Sequence, residues 1–204
     1  MALLPVADAL ARVLDAARPR EETVVPLHES HGRVLARAVV ARRTQPPFDA
    51  SAMDGYAVHA ADVEEVPVDL EIAGTAAAGA GHAGTVRRGE AVRIFTGAPL
   101  PKCADTIVIQ ENTERLGETA VRILQSSARG RHIRSRGFDF AQGDVLLDAG
   151  RVLDPAALSL AAAGNHPELA VWRQPPLALI ATGDELVPPG SEPGPDQIAS
   201  SHAS

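Results

Sequence analysis

Apolar positions recur at two different periods along this chain, and the change of period divides it. Near the N-terminus, Leu10, Val13, Leu14 and Ala17 fall at helical spacing, which predicts a helix over residues 6–18 that Pro19 ends. An extended run follows at residues 23–27. The next stretch, "ESHGRVLARAVVARR", fits a helical turn or an irregular strand equally well, and Pro46 and Pro47 then mark a loop. Between residues 68 and 124 the runs shorten and turn β-prone: "VDLEIA", "AVRIFTG", "DTIVIQENTE" and "TAVRIL", with Gly-rich punctuation between them. That pattern predicts a compact β domain, with a hairpin centred on Gly117.

A second helix is punctuated at both ends. Asp154 is placed as N-cap, Pro155 at the first helical position, and Gly164 just past "AALSLAAA". Downstream, "LALIATGDEL" is a continuous apolar run into a Gly-Asp turn, the pattern of a buried parallel strand entering an α/β domain. Residues 187–204, rich in Pro, Gly and Ser, complete the sequence. One strand cannot form a domain without partners and covering helices. The expectation is a chain that stops just after opening a third domain.

Composition narrows the class. A chain of 204 residues with 45% hydrophobic content can form one large or two small domains. Their cores must be aliphatic, because there are four Phe, one Tyr and one Trp. A formal net charge of −7 argues against a general nucleic-acid or anionic-membrane partner. One cysteine, Cys103, excludes an intramolecular disulfide and fits a reducing compartment. The N-terminus lacks a basic segment, and Asp8 breaks its apolar run, unlike a signal peptide. No apolar run approaches the ~18 residues that span a bilayer. A soluble, cytoplasmic protein is expected.

Candidate chemistry gathers in "TQPPFDASAMDGYAV", residues 44–58, which places Phe48 and Tyr56 in one irregular loop. Two prolines stiffen it, and Ala50, Ser51 and Ala52 allow close approach. The bland account of Asp54-Gly55 is a hairpin turn in which Gly supplies positive φ. Asp49 and Asp54 lie at an odd offset; in an extended loop they face opposite ways and do not make one acid/base pair. Thr96, in "RIFTGAPLP", stands at a strand-to-turn junction, where a hydroxyl commonly satisfies turn backbone. Arg131, Arg134 and Arg136 lie close to Asp139 and form either a solvated basic surface or a phosphate contact. Asp184 and Glu185 end the last apolar run, where open α/β sheets bind ligands, and paired carboxylates there suit Mg²⁺. His28 and His31 have no Cys or His to complete a zinc-type spacing. The run "AGTAAAGAGHAG" lacks a Gly-Lys-Ser/Thr ending and is a loop, not a phosphate-binding one.

In their order, "PPFDASAMDGYAV", "GEAVRIFTGAPLP", "ADTIVIQE", "IRSRGFD" and "TGDELVPPG" resemble the molybdopterin molybdenumtransferases, the MoeA-type enzymes related to the E domain of gephyrin. The likeness runs across nearly the entire chain. It implies an α+β multi-domain fold: a helical and extended domain from residues 1–43 and 141–173, a β-rich domain inserted at 44–140, and a truncated beginning of an α/β molybdopterin-binding domain at 174–204. It also implies a reaction in which adenylylated molybdopterin is hydrolysed and molybdate inserted, with Mg²⁺ assisting and AMP leaving. The work would be done in a cleft shared across a homodimer. Matching positions imply catalytic roles for Asp54, Thr96, Asp139 and Glu185, with Thr96 positioning an oxyanion. Ser51, Gly55, Arg136 and Asp184 are implied in cofactor binding, and Asp54 and Glu185 as Mg²⁺ ligands. The family is longer, completing the α/β domain and adding a C-terminal β domain. Ala50 stands where the family often has Asn, Cys103 where Gly is common, Phe138 where Glu is usual, and His202 near an expected Asn. The alternative is a non-catalytic dimerisation or interaction module derived from the same family.

Overall fold

Side chains along a strand alternate between its two faces, and the central strands here bury both. The computed structural model describes residues 4–16, 21–176, 178 and 182–201. In chain order the elements are α1 (Val6–Ala16), β1 (Glu22–Pro26), β2 (Val39–Val40), β3 (Ala50–Ser51), β4 (Gly55–Val58), β5 (Val68–Ala76), β6 (Glu90–Ile94), β7 (Thr106–Ile109), β8 (Thr113–Leu116), β9 (Ala120–Ile123), β10 (Ile133–Arg134), β11 (Val145–Leu147), α2 (Pro155–Ala163), β12 (Glu168–Trp172), β13 (Leu186–Val187) and β14 (Ile198–Ala199). The fold is mostly β, with two α-helices among the described residues. By internal contacts it divides into Val24–Val171 and a second unit made of Met1–Thr23 with Trp172–Ser204.

The larger unit is organised by a six-stranded sheet of order β7-β4-β6-β5-β9-β8. Every adjacent pair is antiparallel except β5 with β6. A parallel pair needs a long crossover, and the Gly/Ala-rich segment 77–89 supplies it. Tyr56 and Val58 on β4, Val108 on β7, Leu70 on β5 and Val121 and Ile123 on β9 close one core. The intervening Ala57, Val92, Ile94 and Ile107 close another with Ala76, Val86 and Ala98. Tyr56 is therefore a buried strand residue rather than part of an irregular loop. The predicted hairpin joins β8 to β9 with Gly117 at φ 70°.

A third core in the same unit joins residues from both flanks of the sheet. Leu35 and Val39 pack with Leu147, Leu153, Leu169 and Val171 against the small face of α2, Ala157 and Ala161. The stretch after Pro26 is an irregular one: a 3-10 turn at Leu27–Glu29, isolated bridges at Val34 and Leu35, and the short β2. The ends of α2 follow the sequence punctuation with one refinement. The Asp154 carboxylate accepts from the Ala157 amide at 2.7 Å. At the other end the left-handed residue is Asn165, at φ 70°, while Gly164 has φ −71°. The Asn165 amide donates to Ala162 O and the His166 amide to Ala161 O, the paired bonds of a Schellman motif. Gly164 is small for packing: a Cβ would lie 2.5 Å from Leu146 Cδ1.

In the second unit, α1 ends at Ala16, and the predicted stop at Pro19 lies outside the described residues. Leu10, Val13 and Leu14 on α1 are exposed. Leu177, Leu179, Ile180 and Ala181, which carry the expected buried strand, also lie outside the described residues, as does His202. The Asp184-Glu185 turn is present and leads into β13, which pairs in parallel with β14.

Candidate functional site

Three separated stretches meet around residues 44–54 through main-chain hydrogen bonds. From one side, Ser51 N donates to Ala98 O, Gly97 N to Ser51 O, and Leu100 N to Asp49 O. From the other, β10 pairs with β3 so that Ile133 faces Ser51 and Arg134 faces Ala50. Farther along, Asp139 N donates to Gln45 O and Gly137 N to Pro46 O. Small side chains at 50–52 allow this approach from both sides. The result is a cleft of about 370 Å³ lined by Arg43, Gln45, Phe48, Ser51, Thr96 and Arg134 among others.

Asp54 stands at the start of β4, and Thr96 just past the end of β6. The β4–β6 register, with Gly55 opposite Ile94, brings the two together. Thr96 N and Thr96 Oγ1 each donate to Asp54 Oδ1 at 2.8 Å. The Thr96 amide and then its hydroxyl, with the charge of Arg93 adding to them, hold the Asp54 carboxyl below its ordinary value against a smaller opposing effect of burial. A hydroxyl has one proton, and here Asp54 takes it. Thr96 is thus a partner of Asp54 in this structure, through both its amide and its hydroxyl. Both bonds end on Oδ1, so Oδ2 is the oxygen that Thr96 leaves for another ligand.

Gly55 does not supply a positive φ; it is absent from the left-handed glycines and lies buried in β4. A Cβ there would sit 2.0 Å from Val108 O, so β7 passes too close for any side chain. Its place in the fold is that of a packing residue inside the sheet. Ser51 is 1% exposed, and its hydroxyl donates to Met53 O at 2.5 Å, closing the turn before Asp54. Asp49 serves a different segment from Asp54: its Oδ1 accepts from Arg136 N at 2.8 Å. The two aspartates do not share a partner. Arg134 pairs with Asp139 at 2.7 Å, and its guanidinium lies 5.3 Å from the centre of the Phe138 ring. Asp139 is therefore a salt-bridge partner at the cleft's basic edge, and Arg136 enters through its amide.

Asp184 and Glu185 lie in the second unit, where they line a shallow cavity of about 650 Å³ with Asp196 and Gln197. Gly183, at φ 151°, lets the Glu185 carboxylate fold back against the chain; a Cβ on it would be 2.5 Å from Glu185 Oε2. Among the described residues, no three His, Cys, Asp or Glu side chains cluster closely enough to hold a metal. Mg²⁺ keeps several waters and takes one or two carboxylates together with substrate phosphates. Asp54 Oδ2 fits one such ligand, and the adjacent Asp184 and Glu185 carboxylates fit a second in their own unit.

Sequence reasoning passed over Arg43, Gln45 and Arg93. A signal for Arg93 exists: it is the charged residue on a β6 face otherwise shared with Ala91, opposite Tyr56 on β4. Arg43 and Gln45 carry no comparable local signal, since the folding of 132–140 onto 45–51 is what makes them line a cleft.

The family model for the MoeA N-terminal region (domain I and II) matches residues 4–164. Molybdopterin molybdenumtransferase 2 of Mycobacterium tuberculosis is 41% identical over 95% of this chain and 48% of its own length. The molybdopterin molybdenumtransferase of a Nostoc species is 38% identical over 90% of this chain and 43% of its own. The crystal structure of the molybdopterin biosynthesis MoeA protein from Pyrococcus horikoshii OT3 superposes with a TM-score of 0.83 at 33% identity, covering 94% of this chain and 52% of that one. The chain thus spans about half the length of the curated relatives it matches.

Proposed function

This chain belongs to the MoeA family, whose N-terminal region it carries, and on that premise we propose that it forms part of a molybdopterin molybdenumtransferase in molybdenum cofactor biosynthesis. The observation that carries this reading is the cleft of residues 44–54. There Thr96, which holds the Asp54 carboxylate ionised, lines the cleft together with Arg43 and Arg134. The substrates are adenylylated molybdopterin and molybdate, and AMP is the leaving product. Guanidinium groups suit the negative phosphates of such a substrate. Asp54, with Oδ2 available, suits a water or a cation beside the phosphoanhydride. Mg²⁺, when bound, neutralises charge on the phosphates. Asp54 is its proposed ligand in this cleft, and Glu185, with Asp184 beside it, is the proposed ligand in the second unit, each taken by itself. Asp139 fixes Arg134 by charge. The protein works in the cytoplasm as a homodimer.

The test is AMP release from adenylylated molybdopterin in the presence of molybdate and Mg²⁺, by a protein that carries these residues and the full length of the relatives. Release that Asp54→Asn abolishes supports the reading. A fully active Asp54→Asn protein removes Asp54 from the chemistry, and a wild type that dimerises without releasing AMP overturns the reading in favour of the non-catalytic module.

A further inference from the structure

Arg93 sits on β6 directly opposite Tyr56 on β4. Its guanidinium carbon lies 5.1 Å from the Tyr56 ring centre and 4.9 Å from that of Phe95. In a chain with one Tyr and four Phe, two of these rings hold a single guanidinium. The fork is also bonded at its edge: Nη1 donates to Gly55 O at 3.2 Å and Nη2 to Gln110 Oε1 at 2.7 Å. The Gln110 main-chain N–H in turn donates to Asp54 O at 3.0 Å. The main-chain oxygens of Asp54 and Gly55 therefore end either on Arg93 or on the residue Arg93 holds. On the far side, Phe95 immediately precedes Thr96, which grips the Asp54 carboxylate.

We propose that Arg93 is the positioning residue of this site: its clamped guanidinium fixes the backbone of Asp54 and Gly55 and, through Phe95, the strand end that delivers Thr96. The inference rests on the reading of Asp54 as a functional carboxylate. Arg93 is not among the residues lining the cleft, and it acts through the residues it holds. Its value follows from the tolerance of such sites. A reacting group displaced by about 1 Å loses on the order of a hundredfold in rate. Lysine cannot replace it, since a point charge on a flexible stem makes neither the contact with both rings nor the forked pair of bonds.

The test begins with amide hydrogen exchange by NMR on the labelled 204-residue chain, comparing wild type with Arg93→Lys, Arg93→Met and Phe95→Leu. The last removes one of the two ring contacts at an exposed position and guards against a variant that fails to fold. Exchange at Thr96 and Gln110 is expected to accelerate about tenfold or more in Arg93→Met and by less in Arg93→Lys and Phe95→Leu, with β9 amides unchanged. Unchanged rates at Thr96 and Gln110 overturn the proposal. So does an equal acceleration in β9, which marks general loss of stability. In a protein with the full length of the relatives, Arg93→Met should lower kcat about tenfold to a hundredfold at nearly constant KM. A change confined to KM overturns the positioning role. Normal turnover by Asp54→Asn would remove the functional reading of Asp54, while the exchange comparison would still decide whether Arg93 holds that segment.

Discussion

Thr96 gives both of its donors to one oxygen of Asp54, a residue 42 positions earlier in the chain. The arrangement favours the charged form of the carboxyl, and its folded pKa lies below the ordinary 3.8. A depressed carboxylate contributes stability that is fully present above its unfolded pKa and is lost as pH falls through the folded value. Asp54 should therefore stay ionised on the acid side of 3.8. An NMR titration checks this, and Thr96→Val, which keeps the amide but loses the hydroxyl, should move the midpoint part of the way back up. An Asp54 midpoint at or above the ordinary value in wild type would contradict the geometry.

Asp49 should separate from Asp54 by what its loss costs. Its carboxylate caps the Arg136 amide, 87 residues away, and ties segment 134–139 to the loop. Asp49→Ala is expected to destabilise the larger unit by about 1 kcal/mol, below the ~1.5–3 kcal/mol of a hydrogen bond to a charged group because this one is exposed to water. Denaturant melts measure it. A loss below about 0.5 kcal/mol would make the contact incidental.

Gly55 is held by Val108 O, 2.0 Å from where a Cβ would stand. Gly55→Ala must push β4 away from β7, the edge strand it pairs with. A loss of about 3 kcal/mol or more is expected, above the usual range for overpacking because the obstacle is backbone. Because the strand carries Asp54, the Thr96 amide signal should shift as well. A variant as stable as wild type would show that the sheet can open there at no cost.

Cys103 adopts φ 69°. Left-handed backbone is costly for a side chain with a Cβ and free for glycine, although glycine also gains freedom in the unfolded chain. Cys103→Gly should therefore stabilise by about 0.5–1 kcal/mol, seen as a higher Tm. The thiol is exposed, so no packing is lost. A lower Tm would mean that the side chain contributes more than its conformation costs.

The resemblance had already singled out Cys103 as standing where glycine is common, and the backbone supplies the physical reason. Other readings were legible because they are local. The runs at residues 68–124 became β5 to β9, since their apolar residues pack a pleated surface within the strand itself. Gly117 and Asp154 act within a few residues of where they stand, as turn former and helix cap. The reason for Gly164 was not legible: it lies in the Leu146 side chain, and the left-handed residue that ends α2 is Asn165.

What the sequence determined by itself was the two helices, the extended run at residues 23–27, the β runs of residues 68–124 and, through its ordered motifs, the family. Each is written in neighbouring residues, where periodicity, capping and turn chemistry operate. Only the tertiary structure decided which donors reach which carboxylates. The placing of Thr96 on Asp54, of the Arg136 amide on Asp49, and of Arg93 between Tyr56 and Phe95 depends on strand register and on segments far apart in the chain. Glycine at 55 has the same origin, since the carbonyl that excludes a side chain belongs to Val108 on a neighbouring strand. A hydrogen bond is set by a few tenths of an ångström, and that precision arises when β4, β6 and β7 pack together, not along any one of them.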